Sequence, residues 1–387
     1  MKILIIDDQE LVLLSLEKCL IDLGYQVYTS KTVAHAISIY DKEIPDLVIT
    51  DINLSTTDQN IETSTTYAGL DIVKYIKTTK NHKTPVMILT GSTDENVLSK
   101  GFELGIDDYM KKPLSFTEIA LRVKKLIGSS NLENTKIEKN RYIQSNIIGV
   151  VIPCYNEESR LLGEDFKIFI HKNLGYHLCF VNDGSKDKTL QVLQELALGN
   201  EDRISVYDCT KNGGKAEAVR LGMLHLAKQS QFNYIGFLDA DLSTNFEDFN
   251  DLATTISNSN FKIVSGSRIN RMGADITKQS ARAIISKTIN FFIRKTLDMD
   301  FKDTQCGAKI MTKEIVEKTF QKKFLTKWLF DVEIFMRMKK IYGHKEAQNL
   351  ICEQPLKKWI HADGSKLSMK DSVKIVFQIF QIAFHYR

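Results

Sequence analysis

Two stretches of the chain alternate short Val/Ile/Leu runs with longer segments whose apolar residues return every three or four positions. In the first stretch the pattern predicts strands at Lys2–Ile6, Gln26–Thr29, Leu47–Thr50 and Val86–Thr90, and helices at Leu11–Leu23, Val33–Lys42 and Phe116–Ile127. Strands that apolar, separated by amphipathic helices, predict a parallel sheet covered on both faces. Gly128-Ser129-Ser130 then opens a polar stretch to about Ser145, which reads as a linker, partly helical. A second alternation starts at Ile147, with strands at Ile147–Ile152, Leu178–Val181, Ile204–Tyr207, Tyr234–Leu238 and Lys262–Ser265, and helical patterns at Lys188–Leu198 and Ala216–Ala227. The expected organisation is an α/β domain over 1–127, a linker over 128–145 and a second α/β domain over 146–387. Near the end, Val373–Phe384 has too few consecutive apolar residues to span a bilayer. A helix lying flat at a membrane interface and an ordinary core helix both fit it.

Composition supports two cores, since 387 residues at 43% hydrophobic exceed what one core usually organises. The net charge of +4 hides an asymmetry: residues 1–127 carry −4, 128–261 carry −5 and 262–387 carry +13. The last third is the part expected to face anionic phosphates or lipid headgroups. The six cysteines show no CxxC pair or metal-ligand spacing, and the N-terminal strand is too short and too soon acidic for a signal core. A cytoplasmic protein is expected, in peripheral contact with the inner face of a membrane. No basic recognition helix follows the first domain, so no nucleic-acid partner is expected.

Asp7-Asp8 and Asp51 follow predicted strands, which brings their carboxylates to the carboxyl edge of a parallel sheet, where open α/β folds place their sites. Like charges so close must bind a hard cation or raise a pKa, and Mg²⁺ is the natural partner. Thr90 ends another strand and Lys112 precedes Pro113. With these positions filled in order, residues 1–127 resemble the receiver domain of two-component response regulators, a flavodoxin-like (βα)5 fold. The resemblance implies Asp51 as phosphoacceptor for a sensor histidine kinase, Mg²⁺ held by Asp7, Asp8, Asp51 and the Asn53 carbonyl, and Thr90, Tyr109 and Lys112 as the switch. The sequence departs from the family at Leu54-Ser55, where a proline is usual, and in a longer connection from Asp51 to Gly69.

In the second domain Pro153-Cys154-Tyr155-Asn156-Glu157 follows a strand, and Val181-Asn182-Asp183-Gly184-Ser185 repeats the device one strand later. Lys211-Asn212-Gly213-Gly214-Lys215 opens a helix that could cradle phosphate. Asp239-Ala240-Asp241 ends the strand after it, where one carboxylate can hold ribose or metal-bound water and the other a divalent ion on diphosphate oxygens. Together these motifs resemble family-2 inverting glycosyltransferases of the GT-A (Rossmann-like) fold, over about 146–387. The resemblance implies Pro153, Tyr155, Glu157 and Asp183 around the nucleotide, Lys215 beside it, and Asp239 and Asp241 on Mg²⁺ or Mn²⁺. Asn182 stands where an aspartate is common.

Gly266-Ser267-Arg268, Arg282 with Ser286, Asp303–Lys309, Trp328–Glu333, and Trp359 with Asp363–Lys366 are similar to the dolichyl-phosphate glucosyl- and mannosyltransferases, especially the glucosyl branch. That resemblance implies UDP-glucose as donor and a polyprenyl phosphate as acceptor, with Arg268, Arg282 and Ser286 on the acceptor phosphate. Arg282 and Ser286 are four apart, so on a helix they share a face. A lipid phosphate is already anionic and needs alignment more than a base. A glycan hydroxyl, the alternative acceptor, would need a carboxylate base, with Asp303 and Asp331 as candidates. The expected output is phosphorylation-tuned transfer, acting through domain contacts or a homodimer. The alternatives are a receiver used for localisation or dimerisation, and a degenerate transferase that only binds nucleotide sugar.

Overall fold

A computed structural model describes residues 1–54, 67–91, 95–128, 141–269, 275–276, 292–359 and 369–386. The chain divides into two compact units, Met1–Ser145 with His171–Gly175, and Asn146–Ile170 with Tyr176–Arg387.

The first unit is built on β1 (Lys2–Ile6), β2 (Gln26–Ser30), β3 (Leu47–Asp51), β4 (Val86–Thr90) and β5 (Asp108–Lys111), all parallel in the order β2-β1-β3-β4-β5. This is the flavodoxin-like order, with its switch point between β1 and β3. Side chains alternate along β1 to feed two cores. Ile3 and Ile5 pack with Val12 and Leu16 of α1 (Glu10–Asp22) and with Ile119 and Val123 of α5 (Phe116–Ile127). Leu4 and Ile6 pack with Ala36 and Tyr40 of α2 (Val33–Glu43) and with Ile72 of α3 (Gly69–Lys74), which runs on into a π-helical turn at Tyr75–Thr79.

Among the elements of this unit that escape the apolar pattern are α3, α4 (Glu95–Glu103) and β5. In β5 only Met110 is buried, so no apolar run marks it. Most of the expected linker, 129–140, and the long connection, 55–66, lie outside the described residues. Strand structure resumes at Tyr142, five residues before the predicted Ile147, because β7 (Tyr142–Cys154) opens by pairing with β6 (Leu114–Ser115).

The second unit carries β7, β8 (Asn173–Asn182), β9 (Ile204–Asp208), β10 (Tyr234–Leu238), β11 (Ile263–Ser267), β13 (Ala308–Thr312) and β14 (Ile351–Pro355) in the order β14-β11-β13-β10-β7-β8-β9. A small ribbon of β12 (Asp275–Ile276) and β15 (Lys358–Trp359) stands apart. β13 is antiparallel to both β10 and β11, a late strand inserted into the sheet, in keeping with the expected GT-A fold. On one face Val151, Val181 and Phe237 pack against Val219 and Met223 of α8 (Lys215–Ala227). On the other, Val150 and Phe180 meet Phe166 of α6 (Gly163–Lys172), Leu193 of α7 (Thr189–Ala197) and Phe249 of α9 (Phe246–Ser257).

The last helix, Met369–His385, seats Ile375, Ile379 and Ile382 in the core and leaves Phe377, Phe380 and Phe384 exposed. Among the described residues, no helix is long and apolar enough to cross a membrane.

Candidate functional site

Each unit gathers acids at the carboxyl ends of its strands. In the first, Asp7 follows β1, Asp51 ends β3 and Thr90 ends β4, all buried. Ligand atoms of Asp7, Asp8 and Asp51 lie within 4.8 Å of one another. The buried Lys112 ammonium reaches both Asp7 Oδ2 at 2.8 Å and Asp51 Oδ2 at 3.0 Å. Burial pushes the Asp7 carboxyl up to about 6, with Lys112 opposing and Asp51 adding to the rise. Burial alone would lower the Lys112 pKa, but the Asp51 and Asp7 charges hold it above its ordinary value. Asp51 Oδ1 is buried without a hydrogen-bond partner. An orphaned carboxylate oxygen among clustered acids fits a hard divalent cation.

Tyr109 is half-buried on β5, its ring edge-on to Phe102 at 6.0 Å, and Asn53 is exposed just past Asp51. Gly69 matters in a way its sequence position as a loop end does not reveal. A Cβ there would lie 1.8 Å from the Asp51 carbonyl oxygen, so only glycine lets α3 begin against the Asp51 backbone.

In the second unit two loops are laced together after β7 and β8. The Asn156 N–H donates to Ser185 Oγ at 3.1 Å, the Glu157 N–H to Thr189 Oγ1 at 2.8 Å and the Asp183 N–H to the Cys154 carbonyl at 2.9 Å. Pro153, Tyr155 and Glu157 are half-buried along this loop, and Glu157 pairs with Arg160. The N–H groups of Gly213 and Gly214, at the start of α8, donate to Asp183 Oδ1 at 2.8 Å and Oδ2 at 2.9 Å. The seat that the sequence suggests for phosphate thus holds the Asp183 carboxylate, whose pKa burial raises against those two donors. Asn182 donates to Asp208 Oδ1 at 2.6 Å.

Around the end of β10 the charges come in pairs. Lys215 Nζ lies 2.5 Å from Asp239 Oδ1. Burial pulls the Lys215 pKa down, and Asp239, with Asp331 and Asp241, more than restores it. Asp241 is exposed, its Oδ1 accepting from Ser243 N at 2.9 Å and Oγ at 2.5 Å. Lys309, fully buried on β13, sets Nζ 2.7 Å from Asp331 Oδ1 and donates to the Cys306 carbonyl at 2.7 Å. Burial still holds the Asp331 pKa above the usual carboxylate range, despite Lys309 and Lys215.

Asp303 takes a fork from Arg268, Nε to Oδ2 at 2.7 Å and Nη2 to Oδ1 at 2.8 Å, with the Arg268 N–H on Oδ2 at 2.9 Å. Burial would raise Asp303, but Arg268 overrides it and holds the carboxyl well below the usual range. The Arg268 guanidinium also lies 5.3 Å from the Trp359 ring centre. So the structure brings Asp239, Asp241, Lys215 and Asp331 into one charged cluster and turns Arg268 onto Asp303. Arg282 and Ser286 lie outside the described residues, as does the Asp363–Lys366 segment.

Lys309 and Gly307 fall within the Asp303–Lys309 motif, which gives neither of them a role, and both belong to this site. A Cβ on Gly307 would fall 1.9 Å from Asp239 Oδ2, so the carboxylate rests on bare backbone.

The first site lies within a match to "Response regulator receiver domain" over residues 3–124, and the second, Asp331 excepted, within a match to "Glycosyl transferase family 2" over residues 149–320. Similar curated proteins include a dolichyl-phosphate beta-glucosyltransferase of Dictyostelium discoideum, 29% identical over 65% of this chain and 78% of that one. One from Trichomonas vaginalis is 30% identical over 62% and 74%. The Saccharomyces cerevisiae enzyme is 30% identical over 62% and 75%. The chain therefore belongs to glycosyl transferase family 2, as a glycosyltransferase similar to the dolichyl-phosphate beta-glucosyltransferases that carries a response-regulator receiver domain ahead of its transferase domain.

Proposed function

We propose that this enzyme transfers glucose from UDP-glucose to a polyprenyl phosphate with inversion at the anomeric carbon, and that phosphorylation of Asp51 by a sensor histidine kinase tunes the rate. The observation that carries the transfer is the Asp239/Asp241 pair at the end of β10, with Lys215 on Asp239 and the bare Gly307 backbone behind it. Asp241, with Asp239, would hold Mg²⁺ or Mn²⁺, which when bound neutralises charge on the departing diphosphate. The Pro153–Glu157 loop and Asp183 form the nucleotide side, and Lys215 adds a cation where the diphosphate leaves.

The acceptor phosphate oxygen attacks the anomeric carbon as the bond to the UDP oxygen breaks, and UDP leaves with that electron pair. Arg282 and Ser286 would grip the acceptor phosphate, and Arg268 holds Asp303 in place. Asp331 takes the remaining proton of a monoanionic phosphate, for which its raised pKa suits it better than Asp303. The same contrast favours Asp331 as base in a second reading, in which the acceptor is a glycan hydroxyl.

In the receiver, Asp7, Asp8, Asp51 and the Asn53 carbonyl would hold Mg²⁺, with Thr90 and Lys112 on the phosphoryl group. Domains at 1–127 and 146–387, joined over 128–145, remain our division of the chain. The outward stripe of Phe377, Phe380 and Phe384, with the basic last third, supports peripheral membrane contact. Changing the three phenylalanines together to serine is expected to abolish flotation with anionic vesicles while leaving the circular dichroism spectrum unchanged. Undiminished flotation would remove the membrane reading.

UDP release from UDP-glucose, measured with and without polyprenyl phosphate, tests the transfer. It is expected to need both the lipid phosphate and Asp241, with Asp241→Asn as the blank. Release that instead follows a glycan acceptor would select the second reading.

A further inference from the structure

We propose that the receiver face beside Lys112 is a docking surface for two later segments of this same chain, Arg141–Ser145 and His171–Gly175, and that phosphorylation of Asp51 loosens their hold. Both segments belong to the first compact unit rather than to the second. Tyr142 and Ile143 form an antiparallel ladder with Ser115 and Leu114. The Phe116 N–H donates to the Arg141 carbonyl at 3.1 Å, and the Arg141 guanidinium lies over the Phe116 ring at 5.6 Å. Ile143 is fully buried and Leu174 nearly so, in one cluster with Met110, Leu114, Phe116 and Ile119. Gln144 is buried as well. All of these contacts come from chain outside the five strands of the receiver sheet.

One feature ties this face to Asp51, and another ties it to the donor-site loops. Leu114 lies two residues past Lys112, whose ammonium is seated between Asp7 and Asp51. A phosphoryl group on Asp51 adds charge and acceptor oxygens on one side of that seat. Lys112 must then re-aim, and the short main-chain step to Leu114 and Ser115 carries the change into the ladder. At their other ends, the strands that begin in the docked segments deliver the donor-site residues. β7 runs from Tyr142 to Cys154 in the Pro153–Glu157 loop, and β8 runs from Asn173 to Asn182, next to Asp183. The surface thus holds the starts of the two strands whose ends the transferase uses.

The inference rests on the proposed phosphorylation control, and amide hydrogen exchange on the full chain separates the two. With Mg²⁺ and beryllofluoride, exchange at Tyr142, Ile143, Gln144 and Leu174 is expected to quicken about tenfold. Asp51→Asn should abolish the response. Ile143→Asp should quicken the same amides without beryllofluoride, and Leu174→Ala offers a milder variant should the aspartate unfold the unit. Unchanged or slower exchange at these amides in the presence of beryllofluoride overturns the docking switch. UDP release measured on the same samples reads the other claim: faster exchange with unaltered release keeps the docking switch and removes control of turnover.

Discussion

At the carboxyl edge of the receiver sheet, Asp7 and Asp51 share the single ammonium of Lys112, and one oxygen of Asp51 is left without a partner. In the transferase, Asp239, Asp331 and Asp303 each have a cation of their own, in Lys215, Lys309 and Arg268. The receiver site is short of positive charge, and the Mg²⁺ proposed for it would make up the deficit. The transferase site is nearly neutral in itself and must exchange internal partners for substrate charges. A buried acid can thus be kept ready either by withholding its partner or by supplying one that a substrate can replace.

The comparison breaks hardest at the two buried lysines. Lys309→Met strands Asp331 without its cation and is expected to cost about 3–5 kcal/mol, a loss that added Mg²⁺ does not restore. Lys112→Met should also destabilise, but there Mg²⁺ should recover most of the loss, because the acids it leaves can bind the ion. Chemical denaturation of full-length variants with and without Mg²⁺ distinguishes the two, and equal recovery in both would erase the contrast. Asp241→Asn comes next. Losing one of the two carboxylates proposed to face the diphosphate should lower kcat by roughly 10²–10³, the range for removing a group that stabilises transition-state charge, with little change in melting temperature.

A third effect has a defined sign. Asp7 titrates at about 6 in the fold against 3.8 ordinarily, so between these values the folded chain binds the extra proton. Metal-free stability should therefore rise as pH falls through that window, by at most about 3 kcal/mol, and Mg²⁺ should flatten the trend. Metal-free stability that instead falls from pH 6 to pH 4 would contradict the raised pKa. The smallest effect is expected at Gly307→Ala. Its Cβ must push Asp239 aside, and a loss of about tenfold in kcat is expected with near-normal UDP affinity.

Much of both sites is legible in the sequence because apolar strands end on their acids: Asp7, Asp51, Thr90, Asp239 and Asp241 all sit where a short Val/Ile/Leu run stops. The parallel sheet that gathers them is expected from the alternation of strands and helices, whereas the order of its strands is implied only by the family resemblance. What the pattern conceals is pairing across sequence distance. Arg268 and Asp303 read separately as a phosphate ligand and a base, yet in the fold they grip each other. Lys309 sits in Ala308–Thr312, a short strand whose place between β10 and β11 depends on a late antiparallel insertion with no local signal. Asp183 fills the helix start that glycine spacing alone assigns to phosphate. The last helix reads as either core or interface because its isoleucines face in and its phenylalanines face out.

The central claim is that the charge-starved site governs the charge-paired one. It is tested most directly by the rate of UDP release at saturating UDP-glucose and polyprenyl phosphate, with and without beryllofluoride, in the wild-type chain and in Asp51→Asn. A several-fold change in the wild type that vanishes in Asp51→Asn is the predicted result. Identical rates in the wild type, with Asp51 demonstrably engaged, would contradict it.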